Sequence, residues 1–176
     1  MISLRTKDDV TEVASARLLE RAPDADSLSK LDPAEIAKLI YPAGFYKTKA
    51  KNLKEAATRL SAEHGGAVPS TLDELVALPG VGRKTANLVL GLGFDTPAIC
   101  VDTHVHRIAN RIGAVRTKNP EATELALEAV LPRRYWIDIN TLLVNFGKAI
   151  CAPVSPRCSI CPWADACPRV GVEKSR

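Results

Sequence analysis

The sequence predicts an all-α protein. Apolar residues recur at intervals of three and four along most of the 176 residues, which places them on one face of a helix. No stretch keeps for long the alternation of apolar and polar residues that a half-buried strand requires. Proline and glycine interrupt the pattern at short intervals, so we expect many short helices. With 46% apolar residues, the chain can bury a substantial core.

Capping and breaking residues give the bounds of the first three predicted helices. The first runs from about residue 7 to residue 20 and stops at "APDAD". In "LDPAEIAKLIY", Asp32 is the expected N-cap and Pro33 occupies the first turn, where an N–H would have no helical partner. The amphipathic stretch "FYKTKAKNLKEAATRLSAEHGG" predicts a long third helix that ends at Gly65.

Five shorter helices complete the prediction. Ser70 and Asp73 form an approximate capping box at the start of "PSTLDELVAL". The next helix covers about residues 83 to 92, and another follows the aspartate of "VDTH". Asn119 caps the helix in "NPEATELALEAVL", and the last helix covers roughly residues 136 to 148.

The charge balance permits an anionic partner without requiring one. Lys and Arg number 24 against 20 Asp and Glu, which gives a net charge of +4. No apolar run approaches the length that spans a bilayer, and "MISLRTKDDV" lacks the apolar core of a signal peptide, so we expect an intracellular protein with no membrane partner. A helical pattern starts soon after Met1 without a capped entry, which indicates that the chain is short at its N-terminus.

The stretch "LPGVGRKTA" predicts a tight turn that a phosphate could approach. Gly80 and Gly82 tolerate left-handed backbone angles and carry no Cβ that would keep a ligand away. The N–H groups of Val81, Gly82 and Arg83 would then lie unpaired at the start of a helix, where the dipole favours an anion. A plain helix-turn-helix corner explains "PGVG" about equally well on its own.

Lys84 is the candidate nucleophile. It would project from the first turn of its helix, where the dipole disfavours a cation, and the neighbouring Arg83 further discourages its charged form. A lysine whose neutral form is favoured can attack an electron-poor carbon. The alternative is a lysine that contacts a phosphate.

Asp102 stands before a helical run in "VDTHVHRIANR" and is expected to be its N-cap. Its carboxylate could also stabilise positive charge on a sugar carbon or activate a nucleophile, and both roles can hold at once. Asp102, His104 and His106 also look like metal ligands. Residues two apart on a helix point to different faces, however, so a shared zinc site is disfavoured.

The C-terminal cysteines predict a metal centre. Their spacing is C-x6-C-x2-C-x5-C, at Cys151, Cys158, Cys161 and Cys167. Structural zinc usually takes two C-x2-C pairs and only one is present, so we favour a 4Fe-4S cluster and keep zinc as the alternative. Arg157 lies between the first two cysteines, where its cation could reach a phosphate. Cys100 is expected to be a small buried hydrophobe.

In this order and separation, "LPGVGRKTAN", "VDTHVHRIANR" and the cysteine tail closely resemble endonuclease III, a family of helix-hairpin-helix DNA glycosylases and AP lyases. The resemblance covers nearly the whole chain. It implies a helical-barrel lobe at 1–101, short at its N-terminus, that carries the hairpin. A second helical lobe at 102–176 would hold a 4Fe-4S cluster in the loop 151–167, with DNA bound in the cleft between the lobes.

The same resemblance implies roles for individual residues. Lys84 would be the nucleophile, Asp102 the catalytic acid residue, Gly80 and Gly82 the phosphate-binding hairpin, and the four tail cysteines the cluster ligands. The implied activity is removal of oxidised pyrimidines from damaged double-stranded DNA, followed by β-elimination through a Schiff base. A monomer would act on DNA in the nucleoid or the nucleus. Related adenine and mismatch-specific thymine glycosylases carry another residue where Lys84 stands, so Lys84 favours the bifunctional branch.

Two residues near the N-terminal end of the resemblance bear on DNA contact. The family reads Ser-x-Gln-Thr-x-Asp where this chain has "SLRTKD", so Arg5 replaces the glutamine that fills the hole left by the flipped base. A longer cation at this place would alter the preference for the opposite base. Phe45 matches a wedge position, where an apolar side chain enters a base step, and it could equally be ordinary core.

Three other functions remain open at this point. The chain could be a non-catalytic DNA-binding module, a monofunctional mismatch glycosylase, or an iron-sulfur redox protein without a DNA function. The lysine favours the bifunctional enzyme over the monofunctional glycosylase, and strand cleavage, salt-dependent binding and cluster reduction distinguish the other two.

Overall fold

The structure is a computed structural model that describes all residues, Met1–Arg176, and it is all-α, as predicted. No helix is both long enough and apolar enough to span a bilayer. The nine α-helices are α1 (Asp8–Arg21), α2 (Ala25–Lys30), α3 (Pro33–Ile40), α4 (Tyr46–His64), α5 (Leu72–Ala77), α6 (Arg83–Phe94), α7 (Thr103–Arg111), α8 (Pro120–Val130) and α9 (Asp138–Ala149). Two 3-10 turns occur at Arg133–Tyr135 and Cys158–Ile160.

The chain divides into two compact units, Met1–Ala86 and Asn87–Arg176. The boundary falls within α6. The lobes that the sequence resemblance implies, 1–101 and 102–176, divide the chain at another place, and they stay a prediction.

The first unit is held together by contacts among α1, α2, α3 and α4. Helix α4 lies against both α2 and α3, and α1 lies against α3. Ile36 and Ile40, on one face of α3, are fully buried, and so are Ala14 of α1 and Ala50 of α4. Burial of such side chains is the main favourable term in folding this unit.

The second unit is built on α7, which packs against α9 and α8. Val105 and Ile108 of α7 are fully buried in its core. The approach of α9 depends on Gly147, because a Cβ there would lie 2.3 Å from Nδ1 of His104 and 2.8 Å from Nη2 of Arg107.

Most of the predicted helix ends are confirmed. Asp32 accepts a hydrogen bond from the Ala34 N–H at 2.7 Å, and Asn119 accepts one from Ala122 at 2.8 Å. Gly65 ends α4 in the left-handed conformation, with φ of 59°.

One predicted helix start is wrong, and one short helix, α2, was not predicted. The N-cap of α5 is Thr71 rather than Ser70, and its Oγ1 accepts a bond from the Glu74 N–H at 3.4 Å. The Thr71 hydroxyl in turn donates a hydrogen bond to the carboxylate of Glu74. The "APDAD" segment, expected to be a break only, ends in a capping box that starts α2.

Candidate DNA-binding and catalytic residues

The hairpin between α5 and α6 is a tight turn closed by a hydrogen bond from the Val81 N–H to the Leu78 carbonyl at 3.1 Å. Gly80 has a φ of +75°, in the left-handed region. A Cβ on Gly80 would also lie 2.6 Å from Nδ2 of Asn52 in α4. The fold itself therefore requires glycine at position 80.

Gly82 differs from Gly80 in its surroundings. It is exposed, and a Cβ placed on it would meet nothing within 4 Å. Its carbonyl accepts a hydrogen bond from the Ala86 N–H at 3.0 Å, so α6 starts here. Packing within the protein does not require a glycine at this position, which leaves bare backbone facing solvent at the start of a helix, where an anion can approach.

The expectation that the Val81 N–H would be unpaired is wrong. The Val81 N–H donates the hydrogen bond to the Leu78 carbonyl that closes the turn. Any contact of Val81 with a ligand must therefore use another atom. Its contact with DNA stays a prediction.

Lys84 lies in the first turn of α6, and its side chain is exposed. Arg83, directly before it, is also exposed. The first turn of α6 contains no acidic residue that would offset the positive end of the helix dipole. The predicted placement of Lys84 is confirmed. Its role as a nucleophile stays a prediction.

Asp102 is the N-cap of α7, as predicted. Its Oδ1 accepts two hydrogen bonds, from the His104 N–H at 2.8 Å and from the Val105 N–H at 2.9 Å. The carboxylate is half-buried. Both bonds go to the same oxygen, so the capping role leaves the second oxygen available for a catalytic role.

The segment before Asp102 is fixed by two side-chain amides. Ile99 and Cys100 are buried, and Cys100 is 4% exposed, which confirms its prediction as a small core residue. Asn87 of α6 donates to the Ile99 carbonyl at 3.0 Å, and Asn140 of α9 donates to the Cys100 carbonyl at 2.9 Å. These bonds satisfy backbone groups that no sheet partner covers. They fix the backbone of the segment that leads into Asp102.

The two histidines of α7 have different neighbours. Nδ1 of His104 lies 3.1 Å from Nη2 of Arg107, and Nδ1 of His106 lies 2.6 Å from Oγ1 of Thr123. Thr123 is fully buried. The His106 ring belongs to a buried polar network, which fits the expectation that residues two apart on a helix point to different faces.

The four tail cysteines surround one cavity in the second unit. Cys151, Cys158, Cys161 and Cys167 all line it, together with apolar side chains that include Phe146 and Trp163. Each cysteine is half-buried, and none forms a disulfide.

The four cysteines supply the thiol donors of a metal centre, and the identity of that centre stays a prediction. A 4Fe-4S cluster takes one thiolate at each of four irons, so its ligands stand further apart than those of one zinc. Four thiols around one largely apolar cavity therefore match the donor set of a 4Fe-4S cluster.

Two arginines of α7, the buried Arg111 and the half-buried Arg107, hold the first cysteine, and sequence reasoning missed both. Arg111 donates to the carbonyls of Ala152 and Pro153, each at 2.7 Å, and its Nη1 lies 3.5 Å from Sγ of Cys151. Arg107 donates to the Cys151 carbonyl at 2.9 Å. Burial, and secondarily the charge of Arg111, hold the pKa of Arg107 below its ordinary value. The signal available in the sequence was the spacing of Arg107 and Arg111, which stand four residues apart and therefore on one side of α7.

Arg157 is exposed between Cys151 and Cys158. Its backbone N–H donates to the Ile150 carbonyl at 2.9 Å, which fixes the start of the loop while the side chain stays at the surface. This is the placement that a phosphate contact requires. The contact itself stays a prediction.

Arg5 and Phe45 contact each other in the first unit. The guanidinium carbon of Arg5 lies 4.8 Å from the centroid of the Phe45 ring, within the range of a cation–π interaction. Phe45 is 60% exposed, so the alternative interpretation of this residue as ordinary core is wrong. The ring is exposed because Phe45 precedes α4 at a φ of 56°, which turns it away from the packed face of the helix.

Lys49 of α4 is a buried residue that sequence reasoning missed. It is 8% exposed, and burial lowers its pKa from the ordinary value. Its Nζ donates to the carbonyls of Ile2 at 2.6 Å and Leu4 at 2.5 Å and to Oγ1 of Thr6 at 2.9 Å. It occupies a position three residues after Tyr46 on the apolar stripe of the helix, where a charged side chain is unexpected.

Comparison with known proteins gives a consistent family. Residues 1–133 match the HhH-GPD superfamily of base excision DNA repair proteins. The chain is 47% identical over 167 residues to endonuclease III of Thermotoga maritima, in an alignment that covers 95% of this chain and 78% of that protein. It is 46% identical over 171 residues to endonuclease III-like protein 1 of Gallus gallus, which covers 96% of this chain and 61% of that protein.

Solved structures agree with the sequence comparison. A trapped covalent intermediate of endonuclease III with DNA superposes with a TM-score of 0.90 at 33% identity, over 96% of this chain and 79% of that one. A thermostable thymine-DNA glycosylase superposes with a TM-score of 0.85 at 29% identity, over 96% of this chain and 79% of that one.

Proposed function

The chain belongs to the HhH-GPD superfamily of base excision DNA repair proteins, in its endonuclease III branch, and from this premise we propose that it removes oxidised pyrimidines and then cleaves the abasic strand. DNA glycosylase activity in base excision repair follows from membership of the family. We propose the class of lesion that is removed, the residues that carry out the reaction and the strand-cleaving lyase step. The observation that carries it is the exposed Lys84 amine in the first turn of α6, directly after the glycine hairpin.

Substrate binding uses the hairpin and the start of α6. A DNA phosphate approaches the bare backbone at Gly82, where no Cβ stands in the way and the helix dipole favours an anion. Arg83 adds a positive charge beside it. A damaged nucleotide is then turned out of the duplex, at a cost that is smaller for a damaged pair than for an intact one.

Base removal proceeds by nucleophilic attack. The neutral amine of Lys84 bonds to C1′ of the deoxyribose, and the C1′–N bond to the damaged base breaks. The carboxylate of Asp102 stabilises the positive charge that develops on the sugar. The departing base takes the electron pair and is protonated. The Lys84 nitrogen gives up one proton, and its lone pair then opens the sugar ring: the C1′–O4′ bond breaks, O4′ takes up a proton, and a protonated Schiff base forms at C1′.

Strand cleavage follows from the Schiff base. The iminium at C1′ makes the C2′ proton acidic, and a base removes it. The C3′–O bond then breaks, and its electron pair leaves with the 3′ phosphate. Water finally hydrolyses the Schiff base and regenerates the amine of Lys84.

The four cysteines Cys151, Cys158, Cys161 and Cys167 would hold a 4Fe-4S cluster, which when bound supplies structural order and a redox centre to the C-terminal loop. Neither base removal nor β-elimination transfers an electron, so neither step requires the redox centre. The ordered loop presents Arg157 to a phosphate. We place the enzyme on genomic DNA as a monomer.

A borohydride trapping experiment tests the proposal. The protein is incubated with duplex DNA that contains thymine glycol, and borohydride reduces the Schiff base to a stable covalent adduct. We expect an adduct with the wild type and none with Lys84→Gln, while Arg134→Gln, an exposed cation in the second unit, keeps it. An adduct that survives Lys84→Gln would remove this lysine from its role. Binding without base release would leave a DNA-binding module.

A further inference from the structure

The last residue of α7, Arg111, contacts the chain on both sides of the cavity that the four tail cysteines line. It is only 9% exposed. Its side chain donates to the two carbonyls that directly follow Cys151, each at 2.7 Å. Its own carbonyl oxygen accepts a hydrogen bond from the Val170 N–H at 3.1 Å, shortly after Cys167. One residue therefore joins the segment of the first cysteine to the segment of the last.

The two side-chain bonds use the planar fork of the guanidinium. Nη1 donates to the Ala152 carbonyl, and Nη2 donates to the Pro153 carbonyl. A lysine ammonium is a compact point charge on a flexible stem and presents no such fork. The fork therefore fixes the direction in which the chain leaves Cys151.

The guanidinium also brings a permanent positive charge to the cysteine cavity. Nη1 of Arg111 lies 3.5 Å from Sγ of Cys151, within hydrogen-bond distance of a sulfur acceptor. Arg107, one turn earlier on α7, places a second guanidinium on the same segment. Burial of a cation is costly unless hydrogen bonds or an anion compensate it, and a metal-bound cysteine is a thiolate. This end of the cavity therefore favours a negative charge.

Such a charge acts unequally on the two redox states of a 4Fe-4S cluster. A cluster that gains one electron becomes more negative, so a nearby buried cation stabilises the reduced state more than the oxidised one. Hydrogen bonds to the sulfurs and the net charge are among the factors that set the potentials of these clusters. Side chains behind the ligands also orient them.

We propose that Arg111 is a positioning residue for the cluster: its fork holds the chain that follows Cys151, and its charge raises the reduction potential through the Cys151 sulfur. This inference rests on the 4Fe-4S cluster of the proposed function, and it adds a residue that controls how firmly the cluster is held and how readily it accepts an electron. Neither effect involves Lys84 or Asp102, so borohydride trapping tests a separate claim.

Protein-film voltammetry of the cluster-loaded full chain tests the effect of the charge. A hydrogen bond from a charged donor is worth about tenfold in an equilibrium constant, which for one electron corresponds to about 59 mV. We expect Arg111→Met to lower the midpoint potential by about this amount, and Arg111→Lys, which keeps the charge, to lower it by less than half as much. An unchanged potential in Arg111→Met would overturn the role of the charge.

The rate at which a chelator removes iron tests the fork. We expect iron to leave both Arg111→Met and Arg111→Lys about tenfold faster than it leaves the wild type, because neither side chain can hold both carbonyls. Helical circular dichroism checks that each variant is folded. If Arg111→Met does not fold or load, Arg111→Lys tests the fork on its own. Release from folded Arg111→Lys at the wild-type rate would overturn the positioning role.

Arg169 provides the matched control. It also lines the cysteine cavity and donates to the Ala164 carbonyl at 3.4 Å, but it is exposed. Water and salt screen an exposed charge, so Arg169→Met should keep the iron release rate within about twofold of the wild type and shift the potential little. Equal effects of Arg169→Met and Arg111→Met would reduce Arg111 to a general charge effect and overturn the inference.

The same preparations distinguish this inference from its premise. Zinc in place of iron in the wild type would contradict the cluster, and the inference with it. A wild type that carries the cluster and forms no borohydride adduct would contradict the proposed lyase step, while the potentials and release rates would still decide the role of Arg111.

Discussion

The side-chain amide of Asn52 lies against Gly80 so closely that a Cβ on the glycine would stand 2.6 Å from its nitrogen and 2.9 Å from its Cβ. Helix α4 and the hairpin are therefore in direct backbone-to-side-chain contact. No such neighbour exists at Gly82, where a Cβ would meet open space. Packing within the protein therefore requires glycine at position 80 but not at position 82.

The two alanine substitutions should therefore behave differently. Gly80→Ala forces a Cβ into Asn52 at a positive φ, so it should lower the free energy of unfolding and DNA affinity together. Gly82→Ala should leave the unfolding free energy within about 0.5 kcal/mol of the wild type, as expected for an open surface site, yet weaken DNA binding. Urea unfolding and fluorescence anisotropy with duplex DNA measure the two effects. Unchanged affinity in Gly82→Ala would show that this glycine contacts no phosphate.

Asp102 combines a capping role with a catalytic one, and two substitutions separate them. Asparagine caps a helix about as well as aspartate, so Asp102→Asn should keep stability but lower the rate of base release by roughly 100-fold through loss of the charge. Asp102→Ala should show the same loss of rate and also cost about 1 kcal/mol of stability. Single-turnover kinetics and thermal unfolding check both. Equal rates for Asp102→Asn and the wild type would confine this residue to capping.

The cysteines divide into four ligands and one core residue. Cys158→Ala should lower the bound iron and sulfide and the visible absorbance of purified protein, because a thiolate is lost from the cluster cavity. Cys100→Ala is the matched control, since it removes a buried thiol outside the cavity and should leave the iron content unchanged. Zinc in place of iron and sulfide in the wild type would contradict the cluster.

The stabilisation that Asp24 gives to α2 as its N-cap should depend on pH in the acidic range. The Ser27 hydroxyl, at 2.6 Å, and then the Ser27 N–H, at 2.7 Å, hold the pKa of Asp24 below its ordinary value of 3.8. The folded state therefore favours the carboxylate. This stabilisation is present above the ordinary pKa and is lost as the pH falls through the lowered one. Carboxyl carbon NMR should show a pKa closer to 3.8 in Ser27→Ala. Ser29→Ala, whose hydroxyl instead bonds the Asp26 carbonyl at 2.7 Å, should leave it unchanged.

Local signals in the sequence were sufficient for most of the fold. Asp32 and Asn119 cap their helices because a short acceptor before a proline-led helix can reach the next free N–H groups. The start of α5 was misplaced by one residue because serine and threonine stand side by side, and only Thr71 has a glutamate three residues on. Such choices depend on side-chain length, which a general capping pattern does not resolve.

Residues of the site were predictable where their type and spacing indicate a chemical role. They were missed where only their burial distinguishes them. Lys84, Asp102 and the four cysteines follow from residue type and order, and the placement of Asp102 as a cap is confirmed. Lys49 and Arg111 were missed because both have charged side chains whose partners are backbone carbonyls far along the chain. Sequence periodicity reports which face is apolar, but it does not report a cation buried within that face.

The two asparagine side chains that hold the segment before Asp102 make that segment sensitive to hydrolysis of either amide. Deamidation of Asn87 or Asn140, to which asparagine is prone at elevated temperature, would replace an amino donor with a carboxylate oxygen facing a buried carbonyl. Two acceptors would then repel each other where a bond had been. Loss of either donor would free the backbone at Ile99 or Cys100, while the two bonds that Asp102 accepts from His104 and Val105 would remain.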